Sequence, residues 1–278
     1  MKIDELKELQ NFFLKVIYSN LDENYKNFTT EKEYTYFLPE TFHRIQAYRQ
    51  SFYGRVSGVF SQTIFDLASA LFGKSFIENY LIDYFHKNPT PLNMTNSVKE
   101  FSSYLKAQEE IQNCPFVPDF ISFCFIIHEI LSAKNPLENT FSQNAPNAEN
   151  IYLQKEHFLF TSEWPILQLY NAAKDILNES ENKENTPEFL AKFREDKLTQ
   201  IENKSEDVIL FKSNAWSLDV ILIPKEFFPI INLLSQGLNL QQAVENSEIS
   251  EENFDLNKFS DWISVLTRQN AFFNKNSF

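Results

Sequence analysis

Only four glycines, Gly54, Gly58, Gly73 and Gly237, occur in 278 residues. Glycine is the residue that allows positive φ at no steric cost, and loops that cradle phosphates need several glycines close together. The scarcity therefore argues against the common nucleotide-binding loops and for a mainly helical chain with few tight turns.

The last quarter carries a different pattern. Val208 to Phe211 and Trp216 to Ile223 read as two short strands, rich in β-branched and aromatic residues and separated by Lys212, Ser213 and Asn214. On the second, Trp216, Leu218, Val220 and Leu222 alternate with Ser217, Asp219 and Ile221. Upstream, Ile151 to Thr161 reads as a third strand of the same sheet, and Trp164-Pro165 leads into a helix ending near Leu177. Pro224 ends the second strand and opens a helix, because its missing N–H would be unpaired in a first turn anyway. Phe227, Phe228, Ile231 and Leu234 follow at helical spacing, Gly237 stops this helix, and Asn239 caps the next. A further helix, Leu256 to Gln269, places Leu256, Phe259, Ile263 and Leu266 on one face, so that three helices fill Pro224 to Phe273. About three antiparallel strands with three helices make a winged-helix-like module, a size that normally binds a partner.

The first 134 residues read as helices. Ile3, Leu6, Leu9, Phe13, Val16 and Ile17 form an amphipathic opening helix, and a polar connection containing Thr29 to Glu33 follows. One long helix is expected from Pro39 to Phe72, with Ile45, Phe52, Val56, Val59, Phe60, Ile64, Leu67 and Leu71 as its apolar stripe and Gly73 at its end. Helices over Ser75 to His86, Asn96 to Lys106 and Pro118 to Leu131 complete a small bundle. The Asn, Pro, Ser and Ala content of 135–150 marks a linker between a helical domain, 1–134, and the winged-helix-like domain, 151–278. Asn178 to Pro187 reads as a solvated loop. The fold class is mainly α with a small α+β module.

The net charge of −13 is spread over both halves: 13 basic against 18 acidic residues before position 151, and 12 against 20 after it. Duplex binding draws its affinity from a basic face, so nucleic acid is disfavoured. No stretch has the length and hydrophobicity of a membrane span, the start carries Asp4 and Glu5 where a signal peptide would be basic and then apolar, and two cysteines argue for reduced thiols. The expected setting is the cytoplasm.

Candidate chemistry is sparse. Cys124 and His128, four apart on one helix, lack further ligands close in sequence and read as a buried thiol and a core histidine. No Ser-His-Asp order or nucleophile elbow occurs, so neither catalytic nor metal-binding residues are assigned. Arg49 falls within the apolar stripe of the long helix and needs an anion; an ion pair with Asp119 or Glu129, or a snorkelling side chain, would provide for it. Trp262, beside Phe259 and Ile263, reads as core.

His43-Arg44-Ile45-Gln46-Ala47-Tyr48-Arg49, then Arg55, then Ala70 to Phe76, then Tyr84 to Pro91 form an ordered series. It resembles a bacterial family long labelled as DNA-binding, whose members are partner proteins of multinuclear non-haem iron oxidative enzymes that modify ribosomally made peptides, as in methanobactin and bufferin biosynthesis. The C-terminal part is similar to peptide-recognition modules of the quinone-cofactor pathway, through the strand, the helix, Leu-x-x-Gly and the run Arg268-Gln269-Asn270-Ala271. The sequence departs from the family at Asp119 to Cys124, where an acidic residue is missing.

The resemblance implies a non-catalytic partner protein that holds no cofactor, the iron being on the enzyme. A leader peptide would add as a further strand at an open sheet edge, contacting Trp216, Leu218, Val220 and Leu222 on one side and Asp261, Val265 and Arg268 on the other. Arg44, Tyr48 and Arg55 would dock the enzyme, as aromatic and arginine residues anchor interfaces. The alternatives are a transcriptional regulator that uses the winged-helix-like module on DNA, or a scaffold for some other enzyme.

Overall fold

The opening apolar pattern folds into α1 (Ile3–Tyr18), which packs Phe12 and Val16 against Ile45 of α2 (Pro39–Arg55). In this computed structural model the described residues are 3–19, 39–88, 98–136, 148–182, 186–247, 249 and 254–274. The expected connection at Thr29 to Glu33, the Pro89 to Pro91 end of the family pattern and most of the expected linker lie outside them. The protein is mainly helical with a small antiparallel sheet region, and no described helix is long and apolar enough to cross a membrane. It divides into two compact units, Met1–Phe125 with Ala173–Arg194, and Ile126–Ala172 with Glu195–Phe278.

In the first unit the expected single long helix is three segments. α2 passes into a π-helical stretch, Val56–Ile64, which ends at Phe65 (φ −117°, ψ 30°) before α3 (Asp66–Phe72). The wider turn buries Val56, Phe60, Ser61 and Ile64 and turns Val59 out to solvent, against the expected stripe. Ser69 Oγ donates to the Ser61 carbonyl at 2.6 Å, satisfying an acceptor at the break. Gly73, at φ 96°, then admits α4 (Lys74–Lys87) directly. With α5 (Phe101–Lys106) and the N-terminal part of α6 (Phe116–Ser132), the unit encloses a phenylalanine core. Phe52 and Phe60 meet Phe85 at 5.8 and 5.4 Å, Phe65 meets Phe101 at 5.6 Å, and Phe72 meets Phe120 at 5.6 Å.

The expected strand from Ile151 to Thr161 is two strands in different sheets. β1 (Ile151–Leu153) pairs with β5 (Phe272–Asn274), whereas β2 (His157–Ser162) joins β3 (Glu206–Lys212) and β4 (Leu218–Leu222) in the order β2-β3-β4. The cause is the bend at Lys155 and Glu156, where Gln154 N donates to Ala271 O at 2.8 Å and the Gln154 carbonyl meets His157 Nδ1 at 2.5 Å. α7 (Ile166–Glu181) is longer than expected. α8 (Pro187–Thr199) begins where the expected loop ends; Thr186 Oγ1 accepts from Phe189 N at 3.2 Å, a Thr-Pro helix start that the sequence carries. In the first unit Arg194 Nε of α8 donates to Ala70 O at 2.7 Å.

After β4 come a short 3-10 turn, Lys225–Phe227, then α9 (Phe228–Ser235), α10 (Leu240–Glu245) and α11 (Leu256–Arg268). Gly237 sits at φ 93° past α9, and Asn239 caps α10 through a capping box with Gln242. Helix does not extend to Phe273 as expected. Asn270 adopts φ 61° and Ala271 N bonds Leu266 O at 2.9 Å, so the chain leaves α11 and enters β5. Ile209 and Phe211 of β3, with Ile221 of β4, pack on the core formed with Phe227, Ile231, Leu234, Phe259, Trp262 and Leu266.

Candidate functional site

β4 is an edge strand among the described residues, and the phase of its ladder is set by the bonds at its two ends. Ile223 N donates to Asp207 O at 2.8 Å and Ser213 N to Ser217 O at 3.0 Å. Bonded pairs in an antiparallel ladder recur every second residue, so odd-numbered residues of β4 bond β3 and Leu218, Val220 and Leu222 direct their N–H and C=O groups away from it. An independent contact agrees: Trp262 Nε1 donates to Leu222 O at 3.2 Å from outside the sheet. Trp262 is therefore core, as expected, and also occupies one rung of the open edge; a buried indole needs a partner for its N–H, which is the signal that could have revealed this role.

Directly paired residues share a sheet face. Leu218, Val220 and Leu222 pair with Lys212, Leu210 and Val208, so their side chains lie on the face opposite the three C-terminal helices, and Ile221 is the β4 residue that faces them. Leu218 and Val220 are half-buried and Leu222 is 39% exposed. Trp216 is not in the strand. It stands in the β3–β4 turn with 92% of its surface exposed, while Asn214 Oδ1 accepts from Trp216 N and Ser217 N at 2.9 and 3.0 Å and fixes the turn.

α11 runs beside this edge, tied at both ends. Near Leu222, Trp262 makes its bond and Lys258 forms an ion pair with Glu226, just past β4. Hydrogen bonding from Lys258 lowers the Glu226 carboxyl below its ordinary range, and the same contact raises Lys258. Near the turn, Asn270 Nδ2 donates to Ser213 O at 3.3 Å. Lys258, Asp261, Val265 and Arg268 follow at spacings of three and four residues, one helix face continuous with the tether at Lys258. Asp261 and Arg268 are exposed, and Val265 is an exposed apolar residue at 41%. Asp261 thus lies towards the Leu222 end of the edge and Arg268 towards the Trp216 end.

In the first unit, Arg44, Tyr48 and Arg55 are all exposed on α2, within about 40° of one another by helical geometry. The Tyr48 ring stands edge-on to Phe13 at 5.7 Å. Arg49 is 3% exposed, and its Nη2 donates at 3.4 Å to Ser19 O, just past α1, where helix carbonyls carry partial negative charge. Asp119 pairs with Lys106 at 3.2 Å. Burial raises the Cys124 thiol well above its ordinary range, and desolvation lowers the half-buried His128. Among the described residues no three His, Cys, Asp or Glu side chains are grouped to hold a metal ion. No family model matches the chain, and no curated protein matches it.

Proposed function

We propose that the protein is a non-catalytic, cytoplasmic partner protein that captures the leader of a ribosomally made precursor peptide along β4 and presents it to an oxidative enzyme carrying multinuclear non-haem iron. The observation that carries the capture step is the main-chain phase of β4: Leu218 and Val220 direct their N–H and C=O groups away from β3, at the edge along which α11 runs. Main-chain bonds at such an edge give affinity, and flanking side chains give register. The order β2-β3-β4 followed by α9, α10 and α11 supports reading this part as a winged-helix-like recognition module. The identity of the enzyme rests on the resemblance of the α2 region, and the exposed Arg44, Tyr48 and Arg55 are the face assigned to it.

The test uses the full chain, the leader segment of a precursor peptide encoded beside it, and the neighbouring iron enzyme. Val220→Pro removes an outward donor without touching the bonds to β3, so the fold and its melting temperature are expected to survive while leader binding is lost. Equal leader binding by wild type and Val220→Pro rejects capture at this edge. Co-purification with the enzyme, with iron only on that subunit, is expected; iron retained by this chain alone, or salt-sensitive binding to duplex DNA, overturns the partner reading.

A further inference from the structure

Charge divides unevenly between the two units. The unit containing β4, Ile126–Ala172 with Glu195–Phe278, has 18 acidic and 9 basic residues, a net of −9 within the chain's −13. The imbalance continues at the edge. A strand added to β4 would place alternate side chains opposite Asp219 and Ile221, on the side where α11 lies. There it would meet Asp219, Asp261 and Val265, with Arg268 only at the Trp216 end. The Lys258–Glu226 pair is internally neutralised, whereas Asp261 and Arg268 have no ion-pair partner among the described residues.

Spacing then fixes which guest positions meet which groups. Asp261 and Val265 are separated by about 6 Å along the helix, close to the about 7 Å between alternate residues of a strand. The Leu222 carbonyl is already bonded to Trp262, so the guest has a fixed limit at the Asp261 end of the edge. On its other side the guest meets the apolar side chains of Leu218, Val220 and Leu222.

We infer that the edge selects a cationic extended peptide, one whose Lys or Arg meets Asp261 and whose residue two positions away is aliphatic and packs on Val265. This inference rests on the capture of a peptide at β4 proposed above and names the class of peptide taken. Charge complementarity decides for such a strand over a second copy of the chain, which would bring a like-charged unit to the same edge.

Selection of an unbiased nine-residue displayed peptide library on the immobilised full chain tests it. Wild type is expected to enrich Lys or Arg two positions from Val, Ile or Leu, and a synthetic peptide of the enriched sequence should bind roughly five- to tenfold more weakly when that cation is exchanged for Glu. Asp261→Lys should reverse the preference and favour the Glu peptide. Enrichment that ignores charge, or a preference unmoved by Asp261→Lys, overturns the cationic class but leaves capture at β4 standing. Enrichment unaffected by Val220→Pro overturns capture itself, and a dimer of the free chain in light scattering that Val220→Pro dissociates assigns the edge to a second copy and overturns the inference.

Discussion

Glu206 and Lys212 stand at opposite ends of β3, on the same face, with Val208 and Leu210 fully buried between them. Each charge meets the helix terminus of opposite sign: Glu206 Oε2 accepts from Leu167 N at 2.9 Å in the first turn of α7, and Lys212 Nζ donates to Leu131 O and Ala133 O at 3.0 and 2.9 Å at the end of α6. Replacing Lys212 by Met leaves those carbonyls without that donor and is expected to cost about 2 kcal/mol in urea unfolding, more than Glu206→Gln, which retains an acceptor. Trp216 is the opposite case. At 92% exposure it contributes little to folding, so Trp216→Ala should leave stability within about 0.5 kcal/mol while weakening capture of the leader. A sequence pattern shows that Trp216, Leu218, Val220 and Leu222 alternate; it does not show that one belongs to a turn and three to the face turned from the helices, because that depends on which strand pairs where.

At the scale of elements, helix ends were the most legible features. Gly237 and Asn239 act locally, through groups within a few residues. The π-helical stretch is not legible, since a stripe at 3.6 residues per turn absorbs one extra residue without an obvious break, and Val59, expected inside, lies outside. Gly54 and Gly58, on the exposed side of the same rod, leave open space where a Cβ would stand: among the described residues nothing beyond the adjacent backbone of their own helix lies within 4 Å. Gly54→Ala should therefore stabilise the chain by about 1 kcal/mol, measured by thermal or urea unfolding.

For the whole molecule, the boundaries of the compact units fall within α6, α7 and α8, after Phe125, Ala172 and Arg194. The carbonyls that receive Lys212 belong to Leu131 and Ala133, upstream of the strands they support. A fragment of residues 151–278 should consequently melt without a cooperative transition, whereas a fragment of 116–278 should retain one, as judged by circular dichroism. Glycine scarcity, apolar periodicity and capping residues were enough to determine a mainly helical chain, a late pair of strands and the short helices after them, because each of these acts over a few neighbouring residues. Only the tertiary structure decided that Ile151 to Thr161 divides between two sheets, that the chain leaves α11 for β5, and that Trp262 occupies a rung of β4. Those outcomes depend on bonds such as Gln154 to Ala271 and Trp262 to Leu222, between residues 117 and 40 positions apart, which no local pattern encodes.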